Sequence, residues 1–171
     1  ITTIGQVNIS ISANGSTTFC DGNNVLLKSS ISPTSVYQYQ WLKNGTDISG
    51  ANSSSYTANT SGLYALRVTD LSSNSYNSNS INVIENLLPI APSITYNSPA
   101  IICNGGSINL TGNTSTNVSY QWYRNDSPIS NATNNTYSAT AKGNYKLMVT
   151  DLTTGCSNTS QNVVVGEMPY I

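Results

Sequence analysis

The sequence predicts an all-β protein built as two tandem β-sandwich domains in an elongated arrangement, and three observations lead there. A set of landmarks recurs at a spacing of 81 to 83 residues, apolar and polar residues alternate along several segments, and no 11-residue window carries apolar positions at the helical period of about 3.6.

The recurrence starts with Cys20-Asp21-Gly22-Asn23-Asn24-Val25-Leu26-Leu27, which returns as Cys103-Asn104-Gly105-Gly106-Ser107-Ile108-Asn109-Leu110. Tyr39-Gln40-Trp41 returns as Tyr120-Gln121-Trp122, so one loop is shorter in the second copy. The spacing of 81 then holds through Ile48/Ile129, Ala51/Ala132, Tyr56/Tyr137, Ala58/Ala139, Gly62/Gly143 and Tyr64/Tyr145 to Val68-Thr69-Asp70-Leu71 and Val149-Thr150-Asp151-Leu152. Chance does not produce so long a match.

The elements follow in chain order. The segment with Trp41 reads as a strand, and Lys43-Asn44-Gly45-Thr46 directly after it is an Asn-Gly hairpin signal. Copy two carries Asn125-Asp126-Ser127-Pro128 there, which predicts a looser turn. Tyr64, Leu66 and Val68 alternate with Ala65, Arg67 and Thr69, and Tyr145, Leu147 and Val149 alternate with Lys146, Met148 and Thr150, the period of a half-buried strand. Asp70 and Asp151 recur just after these strands and are expected to cap the following turn. Repeat 1 is placed at residues 1–86. A proline-containing linker at 87–92, where Pro89 and Pro92 enforce an extended path, leads to repeat 2 at 93–171. Ile1-Thr2-Thr3-Ile4-Gly5 has neither a basic nor an apolar leader region, and Glu167-Met168-Pro169 resembles the start of another linker, so further repeats are expected on both sides.

Composition narrows the function. Only 8% of the 171 residues are charged, with 6 Lys+Arg against 7 Asp+Glu and no His, while Asn, Ser and Thr together supply 71 positions. A net charge of −1 without a basic cluster gives no counterion-release term for nucleic-acid binding. No apolar run reaches the roughly 18 residues of a membrane span, so membrane insertion is not expected. Lacking His, the chain has neither the commonest general base nor the commonest transition-metal ligand. No carboxylate lies within three residues of another, no Gly-x-Ser-x-Gly elbow occurs, and no phosphate-cradling glycine motif is present. The expectation is therefore no enzyme, no catalytic or metal-binding residue, and no cofactor. Twelve Asn-x-Ser/Thr triplets occur against about seven from composition alone, and they are read as a neutral hydration surface.

The ordered landmarks resemble an immunoglobulin-like domain. Trp41 and Trp122 stand in the third strand, and Gly-x-Tyr-x-Leu-x-Val follows about 20 residues later, with Tyr64 and Tyr145 where a tyrosine corner falls. The usual core cysteines are replaced by Leu27 and Leu66 in copy one and by Leu110 and Leu147 in copy two, so the resemblance implies a core of an aliphatic pair against tryptophan. More narrowly, Cys-x-Gly-x-x-Val/Ile-x-Leu, Tyr-Gln-Trp and Val-Thr-Asp-Leu-x-x-Gly-Cys-Ser resemble the repeats of large secreted surface proteins of Bacteroidota, among them gliding-motility adhesins. That resemblance implies an extracellular, cell-surface setting and a role in a stalk, filament or adhesin, with neighbouring repeats as partners.

The resemblance also bears on the cysteines. Pairing Cys103 with Cys156 inside repeat 2 would leave Cys20 free, since Ser75 replaces the second cysteine of copy one. In the immunoglobulin-like topology, however, Cys103 and Cys156 fall at opposite ends of one domain, beyond the ~7 Å Cα limit of a disulfide. An inter-repeat bond between Cys20 and Cys156 is the expected arrangement, with Cys103 awaiting another repeat and Cys103–Cys156 the alternative.

For binding, Tyr123 follows core Trp122 and so points outward, beside outward Lys146 and Met148 on the neighbouring strand; copy one has Leu42, Ala65 and Arg67 there. This patch is the candidate surface if the chain is a polysaccharide-binding adhesive module, the alternative to a structural repeat. An accessory domain of a secreted enzyme is a third reading.

Overall fold

The computed structural model describes residues 7–32, 36–103 and 105–168; 1–6, 33–35, 104 and 169–171 lie outside the described residues, among them Ile1–Gly5, Asn104 and Pro169 of the segments named above. The chain divides into two compact units, Ile1–Asn86 and Leu87–Ile171. Among the described residues every regular element is a strand.

The first unit holds β1 (Asn8–Asn14), β2 (Thr18–Cys20), β3 (Val25–Ser32), β4 (Gln38–Lys43), β5 (Thr46–Asp47), β6 (Ser55–Ala58), β7 (Gly62–Thr69), β8 (Ser75–Asn77) and β9 (Ile81–Asn86). One sheet runs β1-β3-β6 and the other β2-β9-β7-β4-β5, with β8 also on β7. All pairs are antiparallel except β2 with β9. The edge segment thus starts in one sheet and crosses to the other, where it joins the last strand in parallel. This is the immunoglobulin-like sandwich.

The second unit repeats it with β10 (Ile94–Thr95), β11 (Ile101–Ile102), β12 (Ile108–Gly112), β13 (Val118–Arg124), β14 (Ser127–Pro128), β15 (Thr136–Ala139), β16 (Gly143–Asp151), β17 (Ser157–Thr159) and β18 (Val163–Glu167). Its sheets run β10-β12-β15 and β11-β18-β16-β13-β14, with β17 on β16 and β11 parallel to β18. The fold is therefore two tandem immunoglobulin-like β-sandwiches.

Alternation decides which side chains enter each core. In β7, Tyr64, Leu66 and Val68 are buried while their neighbours are half-buried or, at Leu63, exposed, and Tyr145, Leu147 and Val149 do the same in β16. Leu27, Trp41 and Leu66 are fully buried in one unit, and Leu110, Trp122 and Leu147 in the other. A tyrosine bridges the aromatic core each time. Tyr56 lies between Trp41 and Tyr64 with ring centroids 5.8 Å from each, and Tyr137 between Trp122 and Tyr145 at 5.9 Å. These tilted, offset contacts suit the ring quadrupoles. Burial has a polar condition too, because an indole N–H or phenol O–H needs a partner once water is gone. Trp41 Nε1 donates to Ser53 O and Trp122 Nε1 to Asn134 O, both at 2.9 Å. Tyr64 Oη donates to Thr60 O at 3.0 Å and Tyr145 Oη to Ala141 O at 2.7 Å, the backbone bond of a tyrosine corner. Burial raises the Tyr145 phenol above its ordinary value, against a smaller opposing effect of Arg124.

Each sandwich contains one break of register that the alternating pattern does not announce. β8 and β9 both pair with β7, but Val68↔Tyr76 and Tyr64↔Ile81 differ in register by one residue, so an extra residue sits between them. The same slip separates Val149↔Asn158 from Tyr145↔Val163. Both are β-bulges, and a serine hydroxyl fills the gap in the ladder. Leu66 N–H donates to Ser78 Oγ and Leu147 N–H to Ser160 Oγ, while the serine N–H groups return bonds to Leu66 O and Leu147 O, all at 2.9 Å.

The turn after β13 differs from the looser one expected. Asn125 and Asp126 both take positive φ, 49° and 65°, as Asn44 and Gly45 do at 51° and 79°, and Arg124 pairs with Ser127 across a two-residue hairpin. Asparagine and aspartate tolerate this conformation better than most residues. Asn125 Oδ1 accepts Asn144 N–H at 2.9 Å, as Asn44 Oδ1 accepts Leu63 N–H, and Lys146 Nζ is 2.6 Å from the exposed Asp126 Oδ1.

Candidate functional site

Four features have the chemistry to matter outside the cores: the cysteines, the acidic turns, the Tyr123 patch and a groove on the first unit.

Cys20 ends β2 in register with Asn86, whose carbonyl accepts Asp21 N–H at 2.8 Å; it therefore stands where the chain leaves the first unit. Cys156 lies in the second unit just after the turn that follows β16, fully buried, with its carbonyl accepting Asp151 N–H at 2.9 Å. Two residues on, Asn158 Nδ2 donates to Pro89 O at 3.0 Å, so Cys156 is beside the start of that unit. Cys20 and Cys156 are both disulfide-bonded. Cys103 is a free, exposed thiol next to Ile102, which pairs with Glu167 at the far end of β18. This removes the alternative Cys103–Cys156 bond. The strand path from residue 156 to 167 is roughly 35 Å long at ~3.3 Å per residue, and the two thiols belong to its opposite ends.

Asp70 Oδ1 accepts N–H bonds from Ser72 and Asn74, both at 2.9 Å, and Oδ2 accepts Asn74 Nδ2 at 3.0 Å and Tyr76 Oη at 3.3 Å. Asp151 Oδ1 accepts the N–H groups of Thr153 and Thr154 at 2.8 Å and the Thr154 hydroxyl at 3.2 Å. These donors favour the ionised form and hold both carboxyls below their ordinary range, led by Asn74 for Asp70 and by the Thr154 N–H for Asp151. Both oxygens of Asp70 and Oδ1 of Asp151 are thus engaged within the turn. Among the described residues no group of three or more His, Cys, Asp or Glu gathers to hold a metal ion.

Tyr123, Lys146 and Met148 do come together on the outer face of β13 and β16. Tyr123 is directly opposite Lys146, and its Oη donates to Met148 Sδ at 3.8 Å. Lys146 Nζ stands 5.6 Å from the Tyr123 ring centroid while paired with Asp126. One ring face is thus taken by a cation that is itself neutralised.

On the corresponding face of the first unit, Arg67 is joined by residues that the sequence does not single out. Trp41↔Leu66 and Tyr39↔Val68 turn toward the core, so the alternate pairs Gln38↔Thr69 and Gln40↔Arg67 lie on the outer surface. They floor an open groove of about 480 Å³, to which Tyr37, Tyr39 and Asn52 contribute. Gln40 Nε2 donates to Trp41 O at 2.9 Å and Ile48 O at 2.8 Å, and Arg67 Nη2 is 2.6 Å from Asp47 Oδ2. Two of its three long polar side chains are therefore pinned. The available signal was the contrast between copies: Tyr37, Gln38 and Arg67 have Val118, Ser119 and Met148 as counterparts. An inspection for exposed aromatics alone passes over it.

No protein-family model and no curated protein matches the chain. Among solved structures it is similar to three N-terminal domains of the Highly Immunogenic Outer Capsid protein of bacteriophage RB49, at 16% identity and a TM-score of 0.46 over 94% of this chain and 59% of that one. It is also similar to the human OSCAR ligand-binding domain, at 15% identity and a TM-score of 0.39 over 92% and 98% of the two chains. A third is a Bacteroides ovatus protein of a mixed-linkage glucan utilization locus, SGBP-B, in complex with a mixed-linkage heptasaccharide, at 14% identity and a TM-score of 0.36 over 86% and 42%. The chain spans about three fifths of the phage fragment and less than half of the Bacteroides protein. The immunoglobulin-like assignment rests on strand order and register themselves.

Proposed function

We propose that this chain is a mechanical segment, two consecutive repeats of an extracellular stalk, filament or cell-surface adhesin of the kind used in surface adhesion or gliding motility, with no catalytic role. The observation that carries the reading is where the bonded cysteines lie: Cys20 at the register position of Asn86, and Cys156 two residues from the side chain that holds Pro89. In this reading the two form one bond that staples repeat 1 to repeat 2 across the proline-containing linker. Tension applied to the chain ends would pass through the sulfur bridge and bypass the repeats between. The surface suits such a part, since 8% charged residues give little self-repulsion along an array.

The test is single-molecule extension of the intact chain pulled from its two ends, with peptide mapping under non-reducing conditions. Mapping is expected to recover Cys20 linked to Cys156. The 135 residues between Cys20 and Cys156 then contribute no length until reductant is added, after which about 460 Å of additional contour appears. Equal extension before and after reduction, or a different linked pair, overturns the staple.

A further inference from the structure

We infer that the groove on the outer face of β4 and β7 is a binding subsite for a neutral polysaccharide segment. The inference goes beyond the mechanical reading and does not depend on the staple.

The groove's chemistry selects the ligand class. Its floor offers donors and acceptors together: the amide of Gln38, the amide oxygen of Gln40, the donor-only guanidinium of Arg67 and the hydroxyl of Thr69, with Asn52 at one side. Directly opposed residues on paired strands are ~5 Å apart and alternate residues along a strand ~7 Å, so the floor is a two-by-two grid of hydrogen-bonding groups. Vicinal hydroxyls on successive sugar rings present the complementary array.

The absence of a net charge sharpens the choice. Arg67 is already paired with Asp47, so a carboxylate or phosphate ligand would have to compete for it, while its remaining N–H groups stay available to neutral hydroxyls. With both Gln40 amide protons directed at Trp41 O and Ile48 O, Oε1 is left as its acceptor. The pinned positions of Gln40 and Arg67 lower the ordering cost of binding. A protein partner fits less well, because Tyr37 and Tyr39 pack against the core and the open, polar floor lacks the desolvated pocket in which interface anchors sit. The part-exposed edges of Tyr37 and Tyr39 complete the lining.

The second unit serves as an internal control. Gln121 makes the same two bonds, to Trp122 O at 2.9 Å and Ile129 O at 2.8 Å, yet Ser119 and Met148 replace Gln38 and Arg67, and Met148 Sδ is engaged by Tyr123. The same scaffold therefore stands there without the grid.

The experiment measures binding of the whole chain to immobilised neutral glucan and galactomannan, with polygalacturonate and an unrelated protein surface alongside. Gln38→Ser combined with Arg67→Met writes the second copy's residues into the first, substitutions that this fold already tolerates. Saturable binding to a neutral glycan is expected, weakened about tenfold or more by the double variant and unaltered by Tyr123→Ala. The inference is overturned if no neutral glycan binds, if the double variant binds as the parent does, if Tyr123→Ala abolishes binding, or if polygalacturonate or the protein surface is preferred. None of these outcomes changes the linked cysteine pair or the extension before and after reduction, so the two readings fail separately.

Discussion

Ser160→Ala isolates a single hydrogen bond at the bulge between β17 and β18. Ser160 is 9% exposed and Leu147, whose N–H it accepts at 2.9 Å, is fully buried in β16. The bulge removes the backbone carbonyl that would otherwise face this N–H, so the serine hydroxyl stands in for it. Alanine takes the acceptor away and leaves a cavity close to one oxygen atom in volume. Leaving a buried donor unsatisfied costs about 1–3 kcal/mol. For a domain of this size each kcal/mol corresponds to about 4–8 °C in Tm, so a loss near 2 kcal/mol lowers the melting of repeat 2 by about 8–16 °C. Repeat 1 supplies the comparison, because Ser78 makes the same 2.9 Å bond to Leu66 N–H but is only half-buried, where water can substitute. Ser78→Ala is therefore expected to cost less than half as much. Urea unfolding followed through the amide signals of each repeat, together with exchange of the Leu147 amide, reads the two effects independently. A Ser160→Ala protein as stable as the parent, or a larger effect at Ser78, would refute the view that the hydroxyl replaces a lost ladder bond.

Two further perturbations follow from the geometry. At Gly112 a Cβ would run into Leu147 Cδ2 and stand 3.3 Å from Asn135 O, so Gly112→Ala overpacks the second core and is expected to destabilise it by about 1–3 kcal/mol, seen as a lower urea midpoint at unchanged slope. The carboxyls of Asp70 and Asp151 are depressed in the folded state relative to the unfolded chain. Their contribution is thus present above the unfolded value and fades as pH falls through the lower folded one. Amide exchange at Ser72, Asn74, Thr153 and Thr154 should accelerate over that acid window relative to core amides, and an unchanged ratio would contradict the capping role.

Much of the sandwich was legible before any coordinates. Period-two alternation in Tyr64–Val68 and Tyr145–Val149 is a local property, because a strand turns successive side chains to opposite faces wherever it lies. The Asn44-Gly45 signal worked for the same reason: positive φ at both central residues is a demand that few sequences meet without cost. Asn125-Asp126 forms the same hairpin with the same asparagine bond to the neighbouring strand, Asn125 Oδ1 accepting Asn144 N–H as Asn44 Oδ1 accepts Leu63 N–H, a contact the local sequence does not contain. Nor could the bulge serines be singled out among 27 serines, since what marks Ser78 and Ser160 is the register of β7 and β16 against the strands beside them.

The candidate sites divide along the same line. The spacing of the cysteines and the copy-to-copy change at Arg67/Met148 are written in the sequence. Which thiol stays free, and that Gln38, Gln40, Arg67 and Thr69 share one grid, depend on cross-strand pairing and on which end of a strand each residue reaches. Sequence by itself determined the strands, their buried faces and the duplication, because these follow from backbone stereochemistry and hydrophobic periodicity acting over a few residues. Tertiary structure alone decided the bulges, the tight second hairpin and the groove, because each is a meeting of groups far apart in the chain, held by register that no local pattern encodes.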